Sequence, residues 1–563
     1  MKVVIVGGVA GGASAAARLR RLNEKAEIIV FEKSGYVSYA NCGLPYYIGG
    51  VITDKSELTL QTPESFCLRF HIDVRVKHQV TSINREKKTV TVKNLVNGCE
   101  FEESYDKLIL STGAKPAIPK LENIESDKIF TLRTVEDTFK IYDFADRSNP
   151  KTATVIGGGF IGLETAENLA HRGIKVTLVE YADHVLAPFD FDMACQLHNV
   201  LRKNGITLML KTGVTGFEEK KGKIISKTSN GGCIESDMVL LAIGVVPDTE
   251  LAQKAGLELG IKNSVVVNDN MQTSDEDIYA VGDAVEVKHY VTGKKALIAL
   301  AGPANKQGRI AADNICGIKS TYKGSQGSSV MKLFDLTAAS TGVNESLAKV
   351  LGIKYNKVVL TPLSHASYYP DAQPMTLKLI YEEETLVILG AQIVGYDGVD
   401  KRIDVIATAI RAGLKATDLC DLDLAYAPPY SSAKDPVNMA GFMVENIVTN
   451  KVKQFHYEDL ENVANDSNAF LLDTRTPYEY RYGHADGFAN IPVDDLRDRI
   501  NEIPKDKKIY VMCQSGLRSY IACRILSQYG YDCYNFSGGY GFYETIEKGK
   551  MQNKNIYPCG IEK

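Results

Sequence analysis

Two stretches of this 563-residue chain, residues 2–32 and 154–180, are written in one grammar: an apolar strand, a glycine turn, a helix, a second strand and a closing carboxylate. The first turn reads Gly7-Gly8-Val9-Ala10-Gly11-Gly12 and the second Gly157-Gly158-Gly159-Phe160-Ile161-Gly162. Glycines at such a turn let the backbone approach a pyrophosphate, and the helix after it aims its first amides at the same group. A carboxylate closing the next strand, Glu32 or Glu180, stands where a ribose hydroxyl is held. Glycine spacing alone is weak, but strand, turn, helix and acid together predict two nucleotide-binding units. Val9 takes the place of the middle glycine in the first turn.

The rest of the chain has the same α/β character. A buried strand at 107–110 runs into Ser111-Thr112-Gly113, and residues 239–244 repeat that pattern after the second unit. Another apolar strand ends in Val281-Gly282-Asp283-Ala284. Between Ser328 and Asn446, β-rich runs at 376–381 and 387–394 precede a helix near 402–412, the pattern of an α+β packing domain. The last hundred or so residues again alternate strands with helices and are long enough to fold alone. A single core stops growing well below this length. The expected division is 1–149 and 269–327 for a first nucleotide-binding domain, 150–268 for a second, 328–446 for a dimerisation domain, 447–456 for a polar linker and 457–563 for a C-terminal α/β domain.

Composition excludes several classes. A formal net charge of -4 leaves no footprint for nucleic acid or anionic lipid. The apolar N-terminal run stops at Gly7, too short for a signal peptide or a membrane span, so a cytoplasmic protein is expected. The 11 cysteines are odd in number and include no C-x-x-C, which argues against a disulfide framework and a zinc site; no metal is expected.

The two dinucleotide motifs, the Ser111-Thr112-Gly113 turn, the Val281-Gly282-Asp283-Ala284 motif and the packing domain together resemble the two-dinucleotide flavoprotein disulfide reductases over about residues 1–446. The resemblance implies FAD on the first motif, among Gly7, Ala10, Gly11, Gly12, Glu32, Lys33, Val80, Ser111, Thr112, Gly113, Gly282 and Asp283, with Glu32 at its ribose and Asp283 at its ribityl chain. It implies a nicotinamide nucleotide among Gly157, Gly159, Ile161, Gly162, Glu180 and Gly244. A carboxylate at Glu180 accepts a 2′-hydroxyl and repels a 2′-phosphate, which favours NADH while leaving NADPH open.

Soon after the first unit comes Ser38-Tyr39-Ala40-Asn41-Cys42-Gly43-Leu44-Pro45-Tyr46. A thiol at a helix start beside a flavin is expected to be a reactive thiolate, favoured by the helix N-terminus and flanked by the polar Ser38 and Asn41. Relatives with an internal redox disulfide carry C-x-x-x-x-C, but the fifth residue after Cys42 is Tyr47. Cys42 must therefore cycle with an outside partner, as a mixed disulfide or persulfide, or as a sulfenic acid after peroxide. The peroxidase and oxidase branch carries a histidine where this chain has Ala10, which favours the first route.

This stretch most resembles coenzyme A-disulfide reductases and the related NADH-dependent persulfide and polysulfide reductases. That resemblance implies a homodimer in which tyrosines of the partner's C-terminal domain approach the active sulfur; the matching positions are Tyr368 and Tyr426, with Tyr369 adjacent to the first and His365 a candidate helper. Coenzyme A is rich in phosphate, so a basic patch is required near Cys42; Arg18, Arg21 and Arg69 are its candidates, Arg21 foremost.

The C-terminal segment carries Leu472-Asp473-Thr474-Arg475, then Gly483-His484-Ala485-Asp486-Gly487, then Cys513-Gln514-Ser515-Gly516-Leu517-Arg518-Ser519, and resembles a rhodanese domain. A cysteine between a buried strand and a tight glycine turn sits in a nest of amides that stabilises a thiolate or persulfide anion. Arg518 is expected to add a fixed positive charge, whereas Asp473, Arg475 and His484 read as architectural and Cys523 and Cys533 as buried.

The expectation is an FAD-dependent NAD(P)H oxidoreductase that reduces CoA disulfide, CoA persulfide or polysulfide through Cys42, with a sulfur-transfer site at Cys513. Two rivals stand beside it: an NADH oxidase or peroxidase cycling a sulfenate at Cys42, and a flavoprotein redox sensor whose rhodanese module only binds partners.

Overall fold

The computed structural model describes residues 1–551, which form two compact units. The first joins Met1–Asp183 to Gly205–Gly327. Its central strand, Lys2–Val6, lies in a five-stranded parallel sheet in the order Ile278–Ala280, Lys107–Leu110, Lys2–Val6, Glu27–Glu32, Asp73–Val76. Val3, Val4 and Ile5 are wholly enclosed, as expected of a parallel strand covered on both faces. Because Ile278–Ala280 comes from the later segment, the first nucleotide-binding domain is assembled from two pieces of sequence. The helix Ala10–Leu22 packs along Ala301–Ile315, and a Cβ on Gly308 would strike the Gly11 carbonyl, so the two helices meet backbone to backbone.

The second sheet of this unit repeats the first, in the order Thr207–Met209, Lys175–Val179, Thr152–Ile156, Met238–Leu241, Ile129–Thr131. Two details differ from the sequence expectation. Ile129–Thr131, placed by the sequence in the first domain, pairs with Met238–Leu241 of the second. Residues 150–268 are also not one compact piece, because His184–Asn204 folds with the other unit.

That second unit joins His184–Asn204 to the chain from Ser328 onward. Ser329–Leu333, Leu336–Gly342, Ile388–Gly395, Met375–Glu382 and Tyr355–Leu360 make an antiparallel sheet in that order, with the helix Val399–Ala412 against it. Next along the chain is a parallel sheet, in the order Lys453–Phe455, Cys533–Phe536, Lys508–Met512, Ala469–Asp473, Ala489–Asn490. The stretch expected to be a linker, 447–456, thus ends one helix, Pro436–Val448, and supplies an edge strand to the C-terminal sheet. The helix Phe191–Lys203 packs against Gly539–Lys550, and Asn199 donates to the Thr545 carbonyl at 3.0 Å. Among the described residues no helix is long and apolar enough to cross a membrane.

A buried ionic cluster ties the parts of this second unit together. Lys378, fully enclosed, lies 2.8 Å from Asp192, 3.1 Å from Asp190 and in contact with Glu345. Lys357 bridges Glu345 at 2.8 Å to Glu458 of the C-terminal segment at 2.5 Å. Asp190, Asp192 and Glu345 are close enough together to hold a cation, and the ammonium groups of Lys378 and Lys357 take that part. Burial works against the Lys378 charge, but Asp192, Asp190 and Glu345 outweigh it and hold the ammonium above its ordinary pKa. Removing one member of such a network leaves uncompensated buried charges. Lys378→Met is therefore expected to lower the unfolding free energy by about 3–5 kcal/mol, measured by urea denaturation of the full chain. A loss within about 0.5 kcal/mol, the usual range for surface substitutions, would show that the cluster is dispensable.

Candidate active site

The two glycine turns are closed by the same bonds. Gly7 N donates to Phe31 O at 2.8 Å and Gly157 N to Val179 O at 2.8 Å, both glycines having positive φ. Gly8 N donates to the Glu32 carboxylate at 2.8 Å, and Gly158 N to Glu180 at 2.6 Å. A Cβ on Gly12 would strike the Gly7 carbonyl, and one on Gly162 the Gly157 carbonyl, which explains the third glycine of each turn. The helices Ala10–Leu22 and Phe160–His171 begin at Val9 and Gly159 with no side-chain cap, whereas Thr62, Thr134 and Thr476 cap their helices with side-chain oxygens. Leaving the first-turn amides of these two helices uncapped suits a pyrophosphate. The residues therefore fit a dinucleotide at each turn.

Around the first turn, burial pushes the Glu32 carboxyl up, against the amides of Gly8 and Ser34. Ser111 N donates to Val6 O at 2.8 Å, Gly113 has φ +69°, and the Thr112 hydroxyl donates to the Asp248 carbonyl at 2.6 Å. Gly282 N donates to Gln307 at 2.7 Å and starts the turn that presents Asp283. Val80 sits in the same core as Lys2–Val6. Lys33 is engaged with Asp248 at 3.0 Å rather than free to meet a ligand charge. Ile161 opens the second helix with Gly162, and Gly244 turns the chain at φ +115°. Arg133, which the sequence did not single out, pairs with Asp283 at 2.8 Å.

The cysteine segment hangs from the first turn. Ser38, with φ +48°, donates its amide to the Gly8 carbonyl at 2.8 Å. Asn41–Gly43 is a single 3₁₀ turn that runs into the short helix Leu44–Ile48, with Cys42 exposed and Asn41 half-buried. Tyr47, standing where a second cysteine would be, is buried edge-on against Phe139, so no partner thiol exists there. The expectation of a thiolate favoured by the helix start is corrected. The helix has only five residues, and burial, then the Glu164 and Asp283 charges, push the Cys42 thiol up, with Arg133 alone opposing. Glu164 is itself pushed up to about 7 by burial and by Glu167, and accepts a bond from the Tyr46 hydroxyl at 3.5 Å.

Of the basic candidates, Arg18 is spent on Asp313 at 2.7 Å, strapping two helices together, and is corrected from substrate residue to packing residue. Arg20 grips the Phe70 and His71 carbonyls, both at 2.7 Å, and so fixes the end of the helix Pro63–Phe70 beside its own. Arg21 and Arg69, on the two ends so joined, are exposed and make no hydrogen bond or ion pair among the described residues.

In the second unit the Tyr368 and Tyr426 hydroxyls meet at 2.6 Å, with both residues exposed. Tyr369 instead lies edge-on to His365. His365 bonds Ser364 and the Pro370 carbonyl at 2.9 Å each, so it closes the loop and does not assist the tyrosines. Buried Arg402 donates to the Ser364 carbonyl at 2.9 Å, the Tyr430 carbonyl at 3.2 Å and Asp435 at 3.1 Å, pinning the two tyrosine-bearing loops to one another. The sequence offered no signal for this arginine beyond its place on the apolar helix.

At the C-terminal site Cys513 is buried, and its Sγ accepts from Gly516 N at 3.1 Å and from the Ser519 hydroxyl at 3.2 Å. Arg518, expected to add a fixed positive charge, is paired two-pronged with Glu479 at 2.6 and 2.8 Å, which offsets that charge. Arg475, buried against Asp473 and over the Tyr540 ring, is architectural, and His484 stacks on Tyr480.

The pyridine nucleotide-disulphide oxidoreductase family matches residues 1–308, its dimerisation domain residues 328–436, and the rhodanese-like domain residues 456–544. The coenzyme A disulfide reductase of Staphylococcus aureus strain JH9 is 39% identical over 443 residues, 78% of this chain and 99% of that protein. The crystal structure of reduced CoADR-RHD from Bacillus anthracis is 50% identical with a TM-score of 0.95, covering 97% of this chain and 98% of that one. The NAD-dependent persulfide reductase of A. fulgidus is 40% identical with a TM-score of 0.91, covering 96% and 100%. The matches cover nearly the whole chain: it belongs to the pyridine nucleotide-disulphide oxidoreductase family and carries a rhodanese-like domain behind its dimerisation domain.

Proposed function

We propose that this protein is an NADH-dependent flavoprotein reductase of coenzyme A disulfide, coenzyme A persulfide or polysulfide, acting as a homodimer through Cys42, with Cys513 carrying sulfane sulfur. The observation that carries the reading is a solitary exposed cysteine suspended from a dinucleotide turn, with a packed tyrosine where a resolving cysteine would be. Glu32, Ser111, Gly113 and Asp283 would hold FAD, which when bound supplies a two-electron relay from a reduced nicotinamide to sulfur.

The chain's own part is thiol chemistry. A Cys42 thiolate attacks the sulfur–sulfur bond of the substrate; a new S–S bond forms at Cys42, the old one breaks, and a thiolate or hydrosulfide leaves. The hydrogen bond between Tyr368 and Tyr426 raises the Tyr426 pKa, and a hydroxyl of this pair can donate to the leaving sulfur. Arg21 and Arg69 are free to meet the phosphates of coenzyme A. At Cys513, two donors on sulfur suit a thiolate or a terminal persulfide.

Three outcomes test this. Cys42→Ser is expected to lower NADH-driven reduction of coenzyme A disulfide by about 10³-fold or more while FAD content stays at one per chain; full turnover in that variant overturns the mechanism. Glu180→Ala is expected to shift the NADH to NADPH ratio of kcat/KM by about tenfold toward NADPH, equivalent to about 1.4 kcal/mol, as the repulsion of a 2′-phosphate is removed; an unchanged ratio removes Glu180 from the ribose. Tyr426→Phe is expected to cut kcat by about 100-fold with the rate of flavin reduction by NADH unchanged, as read by stopped-flow absorbance.

A further inference from the structure

We propose that Tyr46 and Glu164 form a proton relay serving Cys42 from within its own subunit. The Cys42 thiol gives its proton to the Tyr46 oxygen as Tyr46 passes its own to Glu164, and the sequence reverses when the sulfur is re-protonated. This rests on the reading of Cys42 as the reacting thiol.

Cys42 and Tyr46 are four residues apart in the continuous helical run from Asn41 to Ile48, which sets them on one face. The Tyr46 hydroxyl donates to Glu164 Oε1 at 3.5 Å. Glu164 stands in the first turns of Phe160–His171, the helix that opens the second dinucleotide turn. The two helices pack together and are fastened where the shorter one ends. Arg172 donates to the Ile48 carbonyl at 3.0 Å, Asn168 donates to the Glu164 carbonyl at 2.7 Å, and Gly49 has no room for a Cβ against the Asn168 side chain. The packing of the two helices thus keeps Tyr46 beside Glu164.

The charges facing these groups explain why a carboxylate belongs there. Cys42 feels Glu164, Arg133 and Asp283; Tyr46 feels Glu164, Glu167 and Cys42; Glu164 feels Glu167. A permanently ionised Glu164 would only oppose the Cys42 thiolate. A Glu164 that takes the proton removes its own charge as the thiolate appears: Cys–SH and Glu–COO⁻ become Cys–S⁻ and Glu–COOH, with no change in electron count. The pair then holds one proton between two sites, and a carboxyl near 7 is matched to that exchange. Tyr368 and Tyr426 serve the departing sulfur; Tyr46 and Glu164 serve the sulfur that stays.

The test uses the FAD-loaded full chain with Glu164→Gln, Glu164→Asp, Tyr46→Phe and Cys42→Ser. Iodoacetamide labelling of Cys42 is followed against pH by peptide mass spectrometry, and kcat with coenzyme A disulfide is measured over the same range. With the carboxylate charge gone, Glu164→Gln is expected to label several-fold faster at pH 7, while kcat falls about 100-fold and its titration near pH 7 disappears. Tyr46→Phe should lower kcat similarly, and Glu164→Asp should recover part of the rate together with the titration. The relay is overturned if Glu164→Gln leaves both the labelling profile and the kcat titration as in the parent, or lowers kcat with the titration intact. If Cys42→Ser turns over normally, the underlying assignment of Cys42 has failed; if Cys42→Ser is dead and Glu164→Gln keeps the titration, only the relay has.

Discussion

The peptide group of Gly8 is where the reductase half of this molecule is fastened. Its amide holds the Glu32 carboxylate at 2.8 Å and closes the first glycine turn, while its carbonyl accepts the Ser38 amide at 2.8 Å and hangs the cysteine segment from that turn. A Cβ here would run into Val37, which favours glycine at the junction. The second turn repeats the closure through Gly158 and Glu180, but the chain beyond it takes another course. After Glu180 it departs at His184 to lend the helix Phe191–Lys203 to the other unit, and returns at Gly205. One duplicated device thus has two continuations: an exposed thiol after the first turn, a structural brace after the second.

The two sulfur sites manage an anion by opposite means. Cys513 is buried and accepts two hydrogen bonds directly on sulfur, from Gly516 and Ser519, while the charge of Arg518 is cancelled by Glu479. Its anion is met by fixed dipoles and needs no nearby net charge. Cys42 is exposed as a residue, but desolvation of its sulfur and then the carboxylates of Glu164 and Asp283 push its thiol up. In the proposed mechanism its reactivity depends on where protons go, which gives the hydroxyls of Tyr46, Tyr368 and Tyr426 more weight than any cation. The proposed division of labour, sulfane sulfur carried at Cys513 and turned over at Cys42, calls for this difference.

The sequence was most legible where chemistry is written in contiguous residues. Both glycine turns, their closing acids, Cys42 with Tyr47 five residues on, and the Cys513 loop stand in the structure as local motifs. Tyr368 and Tyr426, 58 positions apart and paired in the sequence by family resemblance alone, share a hydrogen bond in the fold, whereas Tyr369 turns to His365. Hidden from the sequence were partners distant along the chain. Arg18 is claimed by Asp313, Arg518 by Glu479, Asp283 by Arg133, and the tyrosine loops are gathered by Arg402. A charge's role depends on its partner, and nothing in a helical stripe of arginines announces an aspartate 295 residues away. The departure of 184–204 from its domain escaped for the same reason, since its helix alone reads like any other crossover.

One cysteine, Cys42, is proposed to exchange sulfur with an external coenzyme A species, and the tyrosine, arginine and Glu164 roles depend on it. The most direct test is to reduce the protein with NADH under anaerobic conditions, add coenzyme A persulfide, quench with acid and map every cysteine by mass spectrometry. Exchange at Cys42 predicts a coenzyme A or sulfane adduct on that residue, with Cys67 and Cys99, the other exposed thiols among the described residues, left unmodified. Continued release of sulfide with Cys42 unmodified at every quench time would contradict it.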